Sequence, residues 1–340
     1  MKPKVYLLQD KKIGREEFTK ILTALELLDK IRDAKKIVIK PNLGAGQKLT
    51  WDSGVVVGAH LISNLIENIK EINPNSKIYV VESDSIGNGF AFEKFENNKY
   101  YDLEKMFSDV KVVDITRERC ETITVNGLFF NTFNLPEVLS EYDFFISVAK
   151  IKTHNVAYVT GALKNQFGCI PFTEKSVFHP YLDRVIVDVN AIIKPNLCIV
   201  DGNPAMEGNG PVYGTIKDLN LMIIGNDPVA TDTVMCEIMG FNPKKVAYIS
   251  LARKNNLGVD DIDKIEVLNL SISDVHTKFK FIPFQQQLFI KSGLGIQKTG
   301  QWLFYIGHRI HGIKSYKDFA FFVFGTFLKA GGKIKRFFMK

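Results

Sequence analysis

The chain has 340 residues, of which 46% are hydrophobic and 24% charged. That balance excludes a disordered or fibrous protein and is enough for one large domain or two ordinary ones. Its net charge of +7 is carried by residues 301–340, where eight lysines and arginines face the single acid Asp318, so the main body is neutral and basicity says nothing about its partner. The four cysteines, Cys120, Cys169, Cys198 and Cys236, are far apart; the spacing excludes a local zinc or iron–sulfur nest and is read as buried thiols. Met1 is followed directly by a short strand rather than a charged start and an apolar run, and the expected location is cytoplasmic.

In chain order, Lys4–Leu8 reads as a short strand and the next residues as an amphipathic helix, with Phe18, Ile21, Leu22 and Leu25 at helical spacing. IVIKPNLGAG, from Ile37 to Gly46, is a buried strand stopped by Pro41, which places Lys40 and Asn42 at its carboxyl end as ligand contacts. A helix to Ile72 and a strand at Lys77–Glu82 follow, then Gly87-Asn88-Gly89. The third glycine of a dinucleotide fingerprint would fall on Phe92, so a Rossmann site is rejected, and Glu82 and Asp84 are read as turn residues, with polar groups at a cleft mouth as the alternative. A helix over 91–107, a strand near 111–115, a hairpin within 122–133 and a short helix over 135–141 lead to the strand that starts at Asp143.

That strand opens the most informative stretch, SVAKIKTHNVAYVTGALKNQFGCIPFTEKSVFH from Ser147 to His179. Lys152 and His154 should emerge at its carboxyl end, the place where parallel α/β sheets bind ligands. Lys164 and Asn165 follow on a predicted helix; two lysines facing one space would repel, which lowers their pKa values or fits them to hold an anion. Further on come a helix over 180–193, the strand LCIVDGN with Asp201 at its end, and a glycine-rich loop carrying Glu207 and Asn209. The strand MIIGN then presents Asn226 and Asp227 before Pro228. Strands ending at Lys40 and Asn42, Lys152 and His154, Asp201, and Asn226 and Asp227 predict one shared cleft. Alternating strands and helices predict an α/β fold with a mostly parallel sheet flanked by helices, over residues 1–270.

IVIKPNLGAG, AKIKTHNVAYVTGALKNQFGCIP with the later His179, IVDGNPAMEGNGPVYG and IIGNDPVATDTVMCEIMGF occur in order over roughly residues 35–260. This set resembles the family catalogued as domain of unknown function 362. The resemblance implies no reaction. The iron–sulfur label that many members carry rests on clustered cysteines, which this sequence lacks. The order strand, His, Lys, His is also similar to that of the nickel-pincer lactate racemase family. On that analogy Lys164 matches the cofactor-anchoring lysine, His154 the acid–base histidine and His179 the metal ligand. Asn165 directly after the lysine and the missing glycine-rich spelling before it depart from that family, so its cofactor is not expected here. The cofactor is left unassigned, with a metal held through His179 as an open expectation.

Residues 271–340 read as an extension that ends in a basic, aromatic-rich helical tail. Eight of the 26 phenylalanines lie at 301–340, and Phe324, Phe327, Ile334, Phe337 and Phe338 can share a helical face opposite Lys329, Lys333, Arg336 and Lys340. Its longest apolar run, Phe319–Leu328, is too short to span a bilayer, so the tail is expected either to lie on a membrane surface at its inner face or to pack on protein. The expectation is an enzyme of unassigned reaction class, racemase-like or otherwise acid–base. It would act on a carboxylate- or phosphate-bearing anion, lipid-linked if the tail binds membrane. Lys152, His154, Lys164 and Asn165 are the candidate catalytic residues; Lys40, Asn42, Glu207, Asn209 and Asp227 are the candidate substrate contacts. A non-catalytic ligand- or metal-binding accessory protein and a redox component with a separate iron–sulfur partner are the alternatives. Nucleic acid is not an expected partner, and a homo-oligomer stays open.

Overall fold

A computed structural model describes residues 2–44, 49–85, 89–282, 287–288 and 290–299. The chain divides into two compact units, Met1–Pro283 and Phe284–Lys340. In the second, residues 290–299 are helical; the tail over 301–340 lies outside the described residues, as do Gly46 and Gly87-Asn88.

The first unit is an α/β fold around one large sheet. Its strands are β1 (Lys4–Leu8), β2 (Lys36–Pro41), β3 (Lys77–Glu82), β4 (Val110–Asp114), β7 (Phe144–His154), β8 (Tyr158–Thr160), β9 (Leu197–Glu207), β10 (Thr215–Lys217), β11 (Met222–Gly225) and β12 (Glu266–Leu268). A separate hairpin pairs β5 (Cys120–Thr124) with β6 (Thr132–Pro136). The main order is β12-β1-β11-β9-β7-β2-β3-β4, with β8 paired to β7 and β10 to β9. From β9 through β4 the neighbours run parallel, whereas β11 runs antiparallel to both β9 and β1. The central strands are buried along nearly their whole length, β7 at all its positions, because helices cover both faces, and their amino-terminal halves are mostly apolar.

The helices are α1 (Arg15–Ala24), α2 (Leu28–Asp33), α3 (Ala59–Ile72), α4 (Ala91–Asn97), α5 (Asp102–Met106), α6 (Glu137–Ser140), α7 (Ala162–Asn165), α8 (Leu182–Ile192), α9 (Pro228–Ile238), α10 (Ala247–Lys254) and α11 (Ile272–Val275). The single helix expected over 91–107 is two, broken where Lys99 turns with φ of 59°. Two findings alter the expected cleft. Strand β9 continues to Glu207, so Asp201 lies within a strand and not at its end. Reversed β11 carries Asn226 and Asp227 to the opposite edge of the sheet, where they lie beside Asp143, Lys194 and Asn196.

Candidate functional site: a lysine-lined cavity

The adjacent strands β7, β2 and β3 deliver their carboxyl ends to one cavity of about 290 Å³. Its wall includes Lys40, Asn42, Glu82, Lys94, Lys152, His154, Thr160, Lys164, Asn165, Lys175 and His179. Among the described residues, five lysines and two histidines thus surround a space whose lining holds a single carboxylate, Glu82.

Most of these cations are held by the protein. Lys40 Nζ donates to Glu82 Oε2 at 2.8 Å and to the Pro41 carbonyl at 2.6 Å. Lys94 Nζ donates to the Ser83 carbonyl at 2.9 Å, and Lys175 Nζ to the Asp84 carbonyl at 2.9 Å and to the Ser83 hydroxyl. Burial opposes the charge of Glu82, but Lys40, Lys94 and Lys175 outweigh it and hold its carboxyl at about 2. Lys175 is pushed down to about 7, first by burial and then by Lys94 and Lys40, against the pull of Glu82. Gly168 packs closely over the Lys40–Glu82 pair: a Cβ there would stand 2.7 Å from Lys40 Cε and 3.0 Å from Glu82 Oε1, so a larger residue would push the pair aside.

At the other end of the cavity, Lys152 Nζ donates to Asn42 Oδ1 at 3.1 Å and to the Val55 carbonyl at 2.6 Å. Its pKa is driven well below the usual lysine value by burial, with Lys164 and Lys150 adding repulsion. Asn165 is consumed structurally, donating to the Lys40 carbonyl at 2.9 Å and Ser147 Oγ at 3.0 Å while accepting from Asn42 Nδ2 at 3.2 Å. It ties α7 across β2 and β7. Helix α7 is itself fixed by Asp232 of α9, whose carboxylate accepts from the Ala162 and Leu163 amides at 2.6 and 3.0 Å. Gly161 precedes these amides because a Cβ at that position would collide with the Asp232 carboxylate.

Lys164 differs from its neighbours. Among the described residues it has no hydrogen-bond or ion-pair partner, and its Nζ lies 5.9 Å from the centroid of the Phe167 ring. Burial and the charge of Lys40 bring it down to about 8. Thr160 is 1% exposed, lines the same cavity, and its Oγ1 has no partner among the described residues. His179 stacks on Phe167 at 6.3 Å between centroids and is lowered to about 4, by burial first and then by Lys164.

The geometry changes the role expected of His154. Its Nδ1 accepts from the Val156 and Ala157 amides, both at 3.1 Å, so the neutral ring carries its proton on Nε2. Burial, then Lys164, Lys152 and His179, keep the ring well below the normal histidine pKa. A second proton would have to displace both amides from Nδ1, which makes His154 a hydrogen-bond donor and a poor base. His179 finds no metal-binding companions: among the described residues no three His, Cys, Asp or Glu side chains converge to hold an ion, and the groups around His179 are largely ammonium. The donor set does not fit a metal held by the protein alone.

Of the expected substrate contacts, Lys40 and Asn42 line the cavity. Glu207, Asn209 and Asp227 do not. Glu207 accepts from the Lys280 amide at 3.0 Å and pairs with Lys217 at 3.5 Å; the loop after it contributes Pro211 to the cavity wall instead. Asp227 caps α9 through the Val229 and Ala230 amides at 2.8 and 2.9 Å. Asp201, expected in the same cleft, forms a buried pair with Lys150 at 2.7 Å. Sequence reasoning favoured a turn role for Glu82 over a place at a cleft mouth, left Lys175 out of the candidate residues although it closes the informative stretch, and passed over Lys94 and Thr160. Lys94 did leave a signal, since it shares the buried stripe of α4 with Ala91 and Phe95, where a lysine is out of place. The cysteines are unclustered; Cys169, Cys198 and Cys236 are buried and burial raises their thiols, Cys169 to about 12.

Fold and cavity define an α/β protein with a cationic pocket at the carboxyl ends of parallel strands. The chain belongs to the family described as Domain of unknown function (DUF362), whose model matches residues 37–237. It is similar to the thylakoid-associated protein sll1697 of Synechocystis sp. (strain ATCC 27184 / PCC 6803 / Kazusa), 25% identical over 237 residues that cover 68% of this chain and 70% of the relative. Among solved structures it is similar to the lactate racemase apoprotein from Thermoanaerobacterium thermosaccharolyticum, with a TM-score of 0.40 and 14% identity over 58% of this chain. That match spans about half, 49%, of the racemase chain.

Proposed function

We propose that the protein is an enzyme that takes a small carboxylate- or phosphate-bearing anion into the lysine-lined cavity and moves protons within it. The observation that carries this reading is the imbalance of charge: among the described residues five lysines line the space and Glu82 is its one carboxylate. Burying like charges without counterions is costly, and an anionic ligand supplies the counterion. Lys152 and His154 donate to that anion, while Lys164 and Lys175, at about 8 and about 7, are the groups able to exchange a proton near neutral pH. Titration calorimetry with inorganic phosphate and small mono- and dicarboxylates tests the reading. Saturable, salt-sensitive binding to the wild-type chain that weakens in Lys152→Met supports it; absence of binding by all of these anions in low salt defeats it.

A second reading concerns where the enzyme works. Among the described residues no helix is long and apolar enough to cross a membrane. The eight basic residues and eight phenylalanines at 301–340 support peripheral attachment to an anionic bilayer, and the curated relative is named as thylakoid-associated. The full chain should sediment with vesicles containing anionic lipid and not with neutral ones. Replacing Lys333, Lys335 and Arg336 by Glu should release it; equal sedimentation of both proteins argues for packing on protein instead.

A further inference from the structure

The cavity contains one amine whose surroundings differ from all the others. Lys40, Lys94, Lys152 and Lys175 each donate at least one hydrogen bond to a carbonyl, carboxylate, amide or hydroxyl oxygen of the protein. Lys164 has no such acceptor among the described residues, stands against the Phe167 ring and lines the space that its neighbours enclose. A lysine needed only to fix an anion or to brace the fold gains from hydrogen bonds to protein oxygens. A lysine that must lose a proton and use its lone pair is hindered by them. The backbone beneath Lys164 is fixed on both sides, by Asp232 at the start of α7 and by Asn165 at its end. The free amine is therefore held on a rigid support, as nucleophilic catalysis requires.

We infer that Lys164 is a nucleophile that forms an imine with a carbonyl compound carrying an anionic group, a 2-oxo acid being the simplest chemical class. This rests on the anion-binding reading above, since the other cations hold the substrate's charged group. Burial, and then the charge of Lys40, also keep Lys164 partly unprotonated near neutral pH. The Nζ lone pair of the neutral amine adds to the carbonyl carbon, and the C=O π pair moves to oxygen, giving a carbinolamine after proton transfer. The C–O bond then breaks as the C=N bond forms, and the two amine hydrogens leave with the oxygen as water. No oxidant or reductant is consumed. The unpartnered Thr160 hydroxyl and the Nε2–H of His154 are the donors available to the carbonyl oxygen as it gains charge.

Reductive trapping tests this. The full-length protein is incubated with pyruvate and cyanoborohydride, followed by intact-mass measurement and peptide mapping. The expected result is one reduced pyruvate adduct, located on the peptide bearing Lys164, slowed by inorganic phosphate, and absent from Lys164→Arg, which keeps the charge and whose fold is checked by circular dichroism. Adducts scattered over surface lysines, or none on Lys164, overturn the imine. Calorimetry on the same sample separates the two ideas. Phosphate binding without trapping removes the imine and keeps the anion cavity, whereas neither binding nor trapping removes both.

Discussion

Two buried lysine–carboxylate pairs stand on neighbouring strands of the same sheet, and they are built to opposite ends. Lys150 on β7 meets Asp201 on β9 at 2.7 Å, one cation to one anion, with Asp201 also accepting from the Asn203 amide at 2.8 Å. Lys40 on β2 meets Glu82 on β3 at 2.8 Å, but Lys94 and Lys175 crowd the same carboxylate, and Lys152 and Lys164 complete the enclosure. The first pair is neutral and closes a seam between parallel strands. The second is overcharged and opens on a cavity. Buried charge is costly in either place. Where it is balanced within the protein it serves the fold; where it is left in surplus, the missing counterion points to a ligand.

The largest effect should come from breaking the balanced pair. Asp201→Ala leaves Lys150 buried and unpaired and should cost about 3–5 kcal/mol, whereas Lys150→Met combined with Asp201→Leu should restore most of it. Urea melts of the three proteins measure this, and equal losses in the single and double variants would refute the pairing. In the overcharged cluster the direction should invert for stability. Lys164→Met loses no hydrogen bond to the protein and removes a repelled charge, so the melting midpoint should hold or rise while anion affinity falls by about 1.5–3 kcal/mol, roughly ten- to a hundredfold. A large drop in the midpoint would show that Lys164 serves the fold.

The pH dependence sharpens the contrast. Lys175 and Lys164 have pKa values depressed to about 7 and about 8, so an anion meets its full complement of charge below about 7 and loses it as the pH rises through 8. Phosphate affinity should fall over that window, whereas trapping of pyruvate at saturation should quicken as Lys164 deprotonates. The same depressed values mean that the unfolded chain binds more protons between about 7 and the ordinary lysine pKa, so stability contributed by these two groups should rise with pH there. For Glu82 the sign is opposite: its carboxyl is held at about 2, and its contribution is present above the ordinary glutamate value and lost as the pH falls through about 2. Thermal melts across pH with and without phosphate read all of these. The smallest effect is expected from Thr160→Val, which removes an unpaired buried hydroxyl. Stability should stay level or improve by about 1 kcal/mol, with a modest fall in pyruvate affinity measured by calorimetry.

Half of the cavity is legible in the sequence because half of it lies in contiguous motifs. Lys40 and Asn42 follow a buried strand at a proline stop, and Lys152 and His154 follow another, so strand ends alone point to them. Glu82 was visible as a strand end, but its importance comes from Lys40 across the strand pair and from Lys94 and Lys175, which are distant in sequence. Asp227 misled because a strand's polar terminus marks the site edge only if the strand runs with its neighbours, and the direction of β11 is not written in its four apolar residues. Asp201 misled because β9 runs on through proline and glycine to Glu207, held there by pairing with β10 and β7.

By itself the sequence determined the α/β class, the order of the elements and the fact that lysine and histidine gather near one stretch. These follow from local periodicity, glycine and proline stops, and residue type. Tertiary structure alone decided which end of the sheet each strand presents, which cavity lysines bond to protein oxygens and which, among the described residues, does not, and that both hydrogen bonds at His154 fall on Nδ1. Those outcomes depend on strand direction and on acceptors supplied from far along the chain, and neither is encoded in the spacing of neighbouring residues.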